Sequence, residues 1–196
     1  MPPKKIVVLV SGRGSNLQAL LDAERDGKIT STITAVISNR ADAKALARAE
    51  AAGVKTVVVA SRNRPAADFF KELYTTLKQH NPDLIVLAGF MKILPAEIVQ
   101  VFQNRIINIH PSLLPAFPGL NAQQQALAAG ATNTGCTVHF VDAGCDTGPI
   151  ILQKRVPILA NDTVDTLSAR LIVQEHAALV EAIQLLENNK VVLQHH

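Results

Sequence analysis

The chain has 196 residues, 48% of them hydrophobic, and a formal net charge of +3 at pH 7. That length fills one core and leaves too little for a second domain, and no apolar run nears the roughly 20 residues needed to cross a bilayer. Lys and Arg are dispersed, with six Phe, one Tyr and no Trp beside them, so no nucleic-acid partner is expected and the mild basicity suits small anionic ligands.

Met1, Pro2, Pro3, Lys4 and Lys5 precede a five-residue apolar run, which is too short for a secretory core and predicts a cytoplasmic protein. Cys136 and Cys145 are then expected to be free thiols, and their spacing gives no metal motif. His195 and His196 resemble the start of a tag and carry no role.

Ile6 to Val10 is the first predicted strand; it ends in Ser11, Gly12, Arg13, Gly14, Ser15 and Asn16, ahead of a helix marked by Leu17, Leu20 and Leu21. A second strand spans Thr32 to Ser38, and a helix from about Ala41 is stopped by Gly53 in the C′ position. Val54 to Ala60 reads as a third strand. Phe69, Leu73 and Leu77 stripe a helix over Asp68 to His80, and Asp83 to Ala88 is the fourth strand. After a short helix beyond Pro95 comes a strand at Arg105 to Ile109. The next segment, His110 to Gly119, breaks the pattern with Pro111, Pro115 and Pro118. A helix near Ala122 to Ala129 leads to a half-exposed strand, Thr134 to Val141, which pairs as a hairpin with Ile150 to Val156. Asp162 or Thr163 caps a last helix reaching about Leu186. The alternation predicts one α/β domain: a Rossmann-like, mostly parallel sheet of about seven strands with helices on both faces and ligands at the strands' carboxyl ends.

Three segments carry candidate chemistry. The Gly12 to Asn16 loop lets backbone N–H groups and a helix N-terminus face a phosphate. Its bland alternative is a tight turn capped by Ser15 or Asn16. Leu17 stands where a dinucleotide fingerprint needs its third glycine, and Ser38, Asn39, Arg40 supply no ribose-binding acid. A mononucleotide or sugar phosphate fits better than NAD. Alternation points Asn108 and His110 to one side of their strand. An amide that holds an oxyanion and an imidazole that moves a proton suit attack of an amine on a carbonyl carbon, although a satisfied buried Asn and a loop-capping His fit the residues equally well. Asp146, in the turn Asp142 to Gly148, is by itself more often a structural turn residue; placed near His110 it would favour the protonated imidazole. His80 and His176 read as structural or solvated, and His139 as partly exposed at best, on the face opposite Cys136, Val138 and Phe140.

Together the segments SGRGSNLQAL (11–20), LAGFMKILP (87–95), INIHPSLLPAFPGLNAQQQAL (107–127), GCTVHFVDAGCDTGPIILQ (135–153) and QEHA (174–177) resemble phosphoribosylglycinamide formyltransferase nearly end to end. The resemblance implies a formyltransferase fold and formyl transfer from 10-formyltetrahydrofolate, a co-substrate, to the amine of glycinamide ribonucleotide, with no metal. Asn108, His110 and Asp146 become the catalytic trio. Gly14, Ser15 and Asn16 would hold the ribonucleotide phosphate, and Gly89, Pro111 and Glu175 the rest of that substrate. Arg64, Met91, Lys92, Ile93, Leu94, Asn108, Val141 and Asp142 would take the folate. The phosphate half would run to about residue 100 and the catalytic and folate half from about 101 to 196, in a monomer or homodimer. Departures from the family pattern fall at Lys92, where Arg is common, and at Pro118, Gln123 and Ile172. Formyltetrahydrofolate hydrolase shares the trio behind an N-terminal regulatory domain, for which a glycine loop starting at residue 12 leaves no room; a non-catalytic nucleotide-binding module is the reading from a different class.

Overall fold

Ile6 to Val10 are all 0% exposed, which only a strand covered on both faces and both edges can achieve. In the computed structural model, which describes residues 2–192, that run is the centre of the sheet. In chain order the elements are β1 (Lys5–Val10), α1 (Ser15–Arg25), β2 (Thr32–Ser38), α2 (Lys44–Ala51), β3 (Lys55–Val58), α3 (Ala66–His80) and β4 (Leu84–Leu87). They continue with α4 (Ala96–Val101), β5 (Ile106–His110), α5 (Ala122–Ala128), β6 (Asn133–Phe140), β7 (Ile150–Pro157) and α6 (Val164–Glu187). Seven strands form one sheet in the order β3-β2-β1-β4-β5-β6-β7. The first five are parallel, while β6 runs antiparallel to both β5 and β7. The predicted hairpin is thus β6–β7. His195 and His196 lie outside the described residues.

Each face has its own core. Leu17, Leu20 and Leu21 of α1, Ala45 and Ala49 of α2, and Ala178, Leu179 and Ile183 of α6 cover one face. Phe69, Leu73 and Leu77 of α3, with Ile98 and Val99 of α4, cover the other. The spacing-four stripe of α3 is buried as its sequence predicts, each such side chain contributing about 1.5–3 kcal/mol. Helix α2 starts at Lys44, later than the expected start at Ala41, and Gly53, at φ +72°, follows its C-cap Ala52 as anticipated. Thr163 caps α6 through a reciprocal box with Thr166.

The expectation of a half-exposed sixth strand is corrected. Seven of the eight β6 residues are buried, because α6 packs on Cys136, Val138 and Phe140 while the proline-rich segment after β5 covers the opposite face. Thr137 Oγ1 donates to Ser112 O (2.7 Å) and accepts from Leu114 N–H (3.1 Å) and from Gln153 Nε2 (2.9 Å). That buried hub pins the segment to the sheet.

Gly14 holds the junction between β1 and α1. Its φ is +77°, and a Cβ there would stand 2.6 Å from Ala45 Cβ, so any side chain is both strained and obstructed. Gly14→Ala is expected to lower stability by about 1–3 kcal/mol, read as a drop in the urea midpoint at constant slope. An unchanged midpoint would mean α2 moves away at no cost.

Candidate active site

Strand order reverses at β1, whose neighbours β2 and β4 come before and after it in the sheet. Loops leaving β1 and β4 therefore diverge, and a cleft opens between them at the carboxyl ends of the strands. This cleft, about 1140 Å³, is lined by Ser11 to Asn16, by Ala88, Gly89, Met91 and Lys92, and by Ile109, Pro111, Gln123, Ile172 and Glu175. Three of the family departures, Lys92, Gln123 and Ile172, thus face it.

Gly14 is the N-cap of α1 in the left-handed conformation, and no side chain caps the helix. The alternative of a turn closed by Ser15 or Asn16 is therefore not what forms. The helix N-terminus and its N–H groups remain directed at the cleft, an anion-binding arrangement. Asn16 Nδ2–H donates instead to Glu175 Oε2 at 3.1 Å, while Asn16 Oδ1 is buried without a partner, an acceptor available to a donor on a ligand. Burial raises the pKa of the Glu175 carboxyl, partly offset by that bond from Asn16.

Asn108, His110 and Asp146 come together beside the cleft, which is lined by their chain neighbours Ile109 and Pro111 but by none of the three themselves. Asp146 Oδ2 lies 3.3 Å from His110 Nδ1, and Oδ1 lies 3.6 Å from His139 Nε2. Gly119 N–H donates to Asp146 Oδ2 at 2.8 Å. Burial alone would raise the pKa of this carboxyl; the His139 imidazole, the Gly119 N–H and the charge of His110 outweigh it and hold it at about 2. Asp146 also sits at φ +56°, a left-handed conformation that Asp tolerates better than most residues and that recurs at functional sites.

His139 was missed by the sequence, which placed it partly in solvent; it is 2% exposed. In the antiparallel β5–β6 register it stands directly opposite Asn108. Its Nδ1 faces Phe140 O at 2.9 Å and its Nε2 faces Asn108 Nδ2 at 3.3 Å. A carbonyl can only accept, so Nδ1 carries a proton, while Nε2 stands between the Asn108 amide and the Asp146 carboxylate. His110 differs: Nε2 faces Phe117 O at 2.9 Å and Nδ1 faces Asp146, two acceptors that suit an imidazolium donating from both nitrogens. An amide donor and a cationic imidazole side by side can stabilise an oxyanion and deliver a proton.

The segment after β4 is half anchored. Phe90 and Leu94 are buried, whereas Met91 and Ile93 are 64% and 72% exposed and Lys92 is exposed. Exposed apolar side chains on a cleft rim offer a surface for a flat ring. Arg64 does not line the cleft; its Nη1 is held by Glu72 Oε2 at 2.6 Å, while the exposed Arg62 lines it together with Lys92. Val141 packs on the α3 side of the core, and Asp142 Oδ1 is occupied by Gly144 N–H and the Thr147 hydroxyl. Among the described residues no group of three or more His, Cys, Asp or Glu side chains is placed to hold a metal ion, and no helix is long and apolar enough to cross a membrane.

The formyl transferase signature matches residues 4–183. The chain belongs to the formyl transferase family. It is 48% identical over 173 residues to phosphoribosylglycinamide formyltransferase of Escherichia coli, spanning 88% of this chain and 82% of that one. It is 49% identical over 188 residues to the trifunctional purine biosynthetic protein adenosine-3 of Drosophila pseudoobscura pseudoobscura, covering 94% of this chain but only 14% of that much longer protein. Among solved structures, glycinamide ribonucleotide transformylase 1 from Symbiobacterium toebii superposes with a TM-score of 0.93 at 48% identity, covering 97% of this chain and 91% of that one. The seven-strand sheet described above is thus the formyltransferase fold.

Because the Asp146 pKa falls from 3.8 to about 2 on folding, its stabilising contribution is complete above about pH 4 and is lost as pH falls through 2. Asp146→Asn should remove about 2 kcal/mol of that acid-dependent stability, seen as a flatter plot of unfolding free energy against pH between about 4 and 2. Identical plots for the two proteins would assign the pH dependence to other carboxylates.

Proposed function

We propose that the chain transfers the formyl group of 10-formyltetrahydrofolate to the amine of glycinamide ribonucleotide, giving formylglycinamide ribonucleotide and tetrahydrofolate in purine biosynthesis. The observation that carries the reading is the convergence of Asn108, His110 and Asp146, next in the chain to Ile109 and Pro111 of a cleft that is also lined by a helix N-terminus suited to a phosphate. The names of the bacterial relatives support it. The folate donor supplies the formyl carbon and N10 as its leaving nitrogen. It fits the rim made by Met91, Lys92 and Ile93, where two apolar side chains stand exposed beside a cation and are followed by the buried Leu94. The residues before about 100 hold the phosphate loop together with this folate rim, and those from about 101 hold the catalytic groups. The protein acts in the cytoplasm on small molecules, as a monomer or homodimer, with no nucleic acid.

The amine attacks the formyl carbon as the bond from that carbon to N10 breaks, and the proton lost by the amine is balanced by the one gained at N10. The Asn108 amide N–H and His110 Nε2–H steady the oxygen that becomes negative. His110 Nε2–H now donates to Phe117 O, so the formyl oxygen takes the place of that carbonyl. Asp146 holds the imidazolium through Nδ1, and His139 holds the Asn108 amide. Gly14, Ser15 and Asn16 bind the phosphate, with Gly89, Pro111 and Glu175 along the glycinamide and ribose. Arg62, rather than Arg64, meets the folate's anionic tail with Lys92.

Formyl transfer assayed with both substrates tests the activity. His110→Ala should lose about 10²–10⁴-fold in rate while remaining folded, and full activity in that variant would remove His110 from the chemistry. Formate release without the acceptor would instead indicate a hydrolase, and no turnover a binding module. Arg62→Ala should raise the folate KM by about 3–10-fold, as loss of a solvent-exposed charged contact does. Arg64→Ala should leave it within twofold; the opposite ranking would return the tail to Arg64.

A further inference from the structure

A hydrogen-bonded chain runs beneath the cleft, away from the catalytic trio. Met91 N–H donates to Ser11 Oγ at 2.8 Å, Ser11 Oγ–H to Asn39 Oδ1 at 2.6 Å, and Asn39 Nδ2–H to Ser61 Oγ at 3.0 Å. Ser11 N–H donates to Gly89 O at 3.1 Å. Ser11 and Asn39 are 4% and 5% exposed, so each of these groups, left unpaired, would be costly.

The position of the chain matters as much as its bonds. The β1–β4 ladder ends at Leu9 and Leu87, with Ala88 N–H reaching Leu9 O. Beyond it the chain must turn out to the cleft rim. Among the described residues, the two bonds to Ser11 are the hydrogen bonds that tether residues 89–94 to the rest of the molecule. A serine hydroxyl has one proton and rotates freely. With that proton committed to Asn39 Oδ1, a lone pair is fixed toward Met91 N–H. Asn39 is in turn oriented by Ser61, whose own N–H donates to Asn39 O at 3.1 Å. The amide therefore acts on Met91 only through the hydroxyl.

We propose that Ser11 and Asn39 are positioning residues for the formyl donor: together they fix the backbone at Met91, and with it the direction in which Met91 and Lys92 meet the folate. The proposal rests on the reading of Met91 to Leu94 as the donor-binding segment. Ser11 precedes the phosphate loop at Gly12, but its hydroxyl is engaged by Asn39 and Met91 and not by that loop.

Steady-state kinetics with each substrate varied, alongside amide hydrogen exchange, tests this. Ser11→Ala should raise the KM for 10-formyltetrahydrofolate about 10-fold, with kcat and the glycinamide ribonucleotide KM each within about twofold. Asn39→Ala should raise the donor KM as well, and the double variant should be no worse than Ser11→Ala, because the two act in series. Exchange at the Met91 amide should quicken about 10-fold or more in either variant while Val8, in the central strand, is unchanged. Equal rises in both KM values, additive effects, or unaltered exchange at Met91 would each overturn the proposal. If Ser11→Ala fails to fold, Asn39→Ala carries the same readouts with the Ser11 hydroxyl retained. A parent protein that turns over neither substrate sinks the formyl-transfer reading alone; exchange at Met91 then still decides whether Ser11 and Asn39 hold that backbone.

Discussion

The Asp146 carboxylate is a charge taken largely out of water, and the surrounding architecture is what such a charge requires. A buried anion survives only with matched partners, and Asp146 draws them from three places: His110 at the end of β5, His139 in β6, and Gly119 at the end of the proline-rich segment. The first two are brought close by the antiparallel pairing of β5 with β6. The third makes that segment fold back across the strand pair. Removing any one would leave the others facing an unbalanced charge, so the ion pairs, the register and the loop path are a single solution to one electrostatic problem.

Much of this was legible in the chain. The run Ile6 to Val10, the α3 stripe of Phe69, Leu73 and Leu77, and the stop at Gly53 are local patterns, and local patterns decide elements. The cluster of Asn108 with His110 was half legible: alternation put both on one side of a strand, but nothing local placed Asp146 beside them. His139 shows where such reading stops. Alternation correctly set it apart from Cys136, Val138 and Phe140, but it could not say what covers the other face, and there the cover is a segment pinned by Thr137 and Gln153. The antiparallel register was the one available signal, since it sets His139 against Asn108. Arg62 and Arg64 lie in a short connection without periodicity, and only the pairing of Arg64 with Glu72 separates them.

The cleft and the trio beside it use different physics. At the α1 terminus the proposed anion site is made of backbone, so Gly14 is constrained by shape, through its approach to Ala45. At the β5 terminus the site is made of side chains, constrained by which atoms can donate and which accept. The family departures at Lys92, Gln123 and Ile172 belong to the cleft lining and to neither of these structures, so a change of side chain there alters the lining while both persist.

If His110 is the acid of the proposed reaction, its bond from Nε2–H to Phe117 O has a consequence for selectivity. The protein's own carbonyl is an intramolecular competitor for the acid, present at constant effective concentration and never diluted. Any incoming oxygen gains only the difference between two hydrogen bonds of similar strength. A water molecule, which offers little more than the carbonyl already does, has small advantage in the exchange. An oxygen on which negative charge is growing has a large one, since charge-assisted bonds are about twice as strong. The resting contact thus works as a threshold, set by backbone chemistry, that favours the reacting state over solvent.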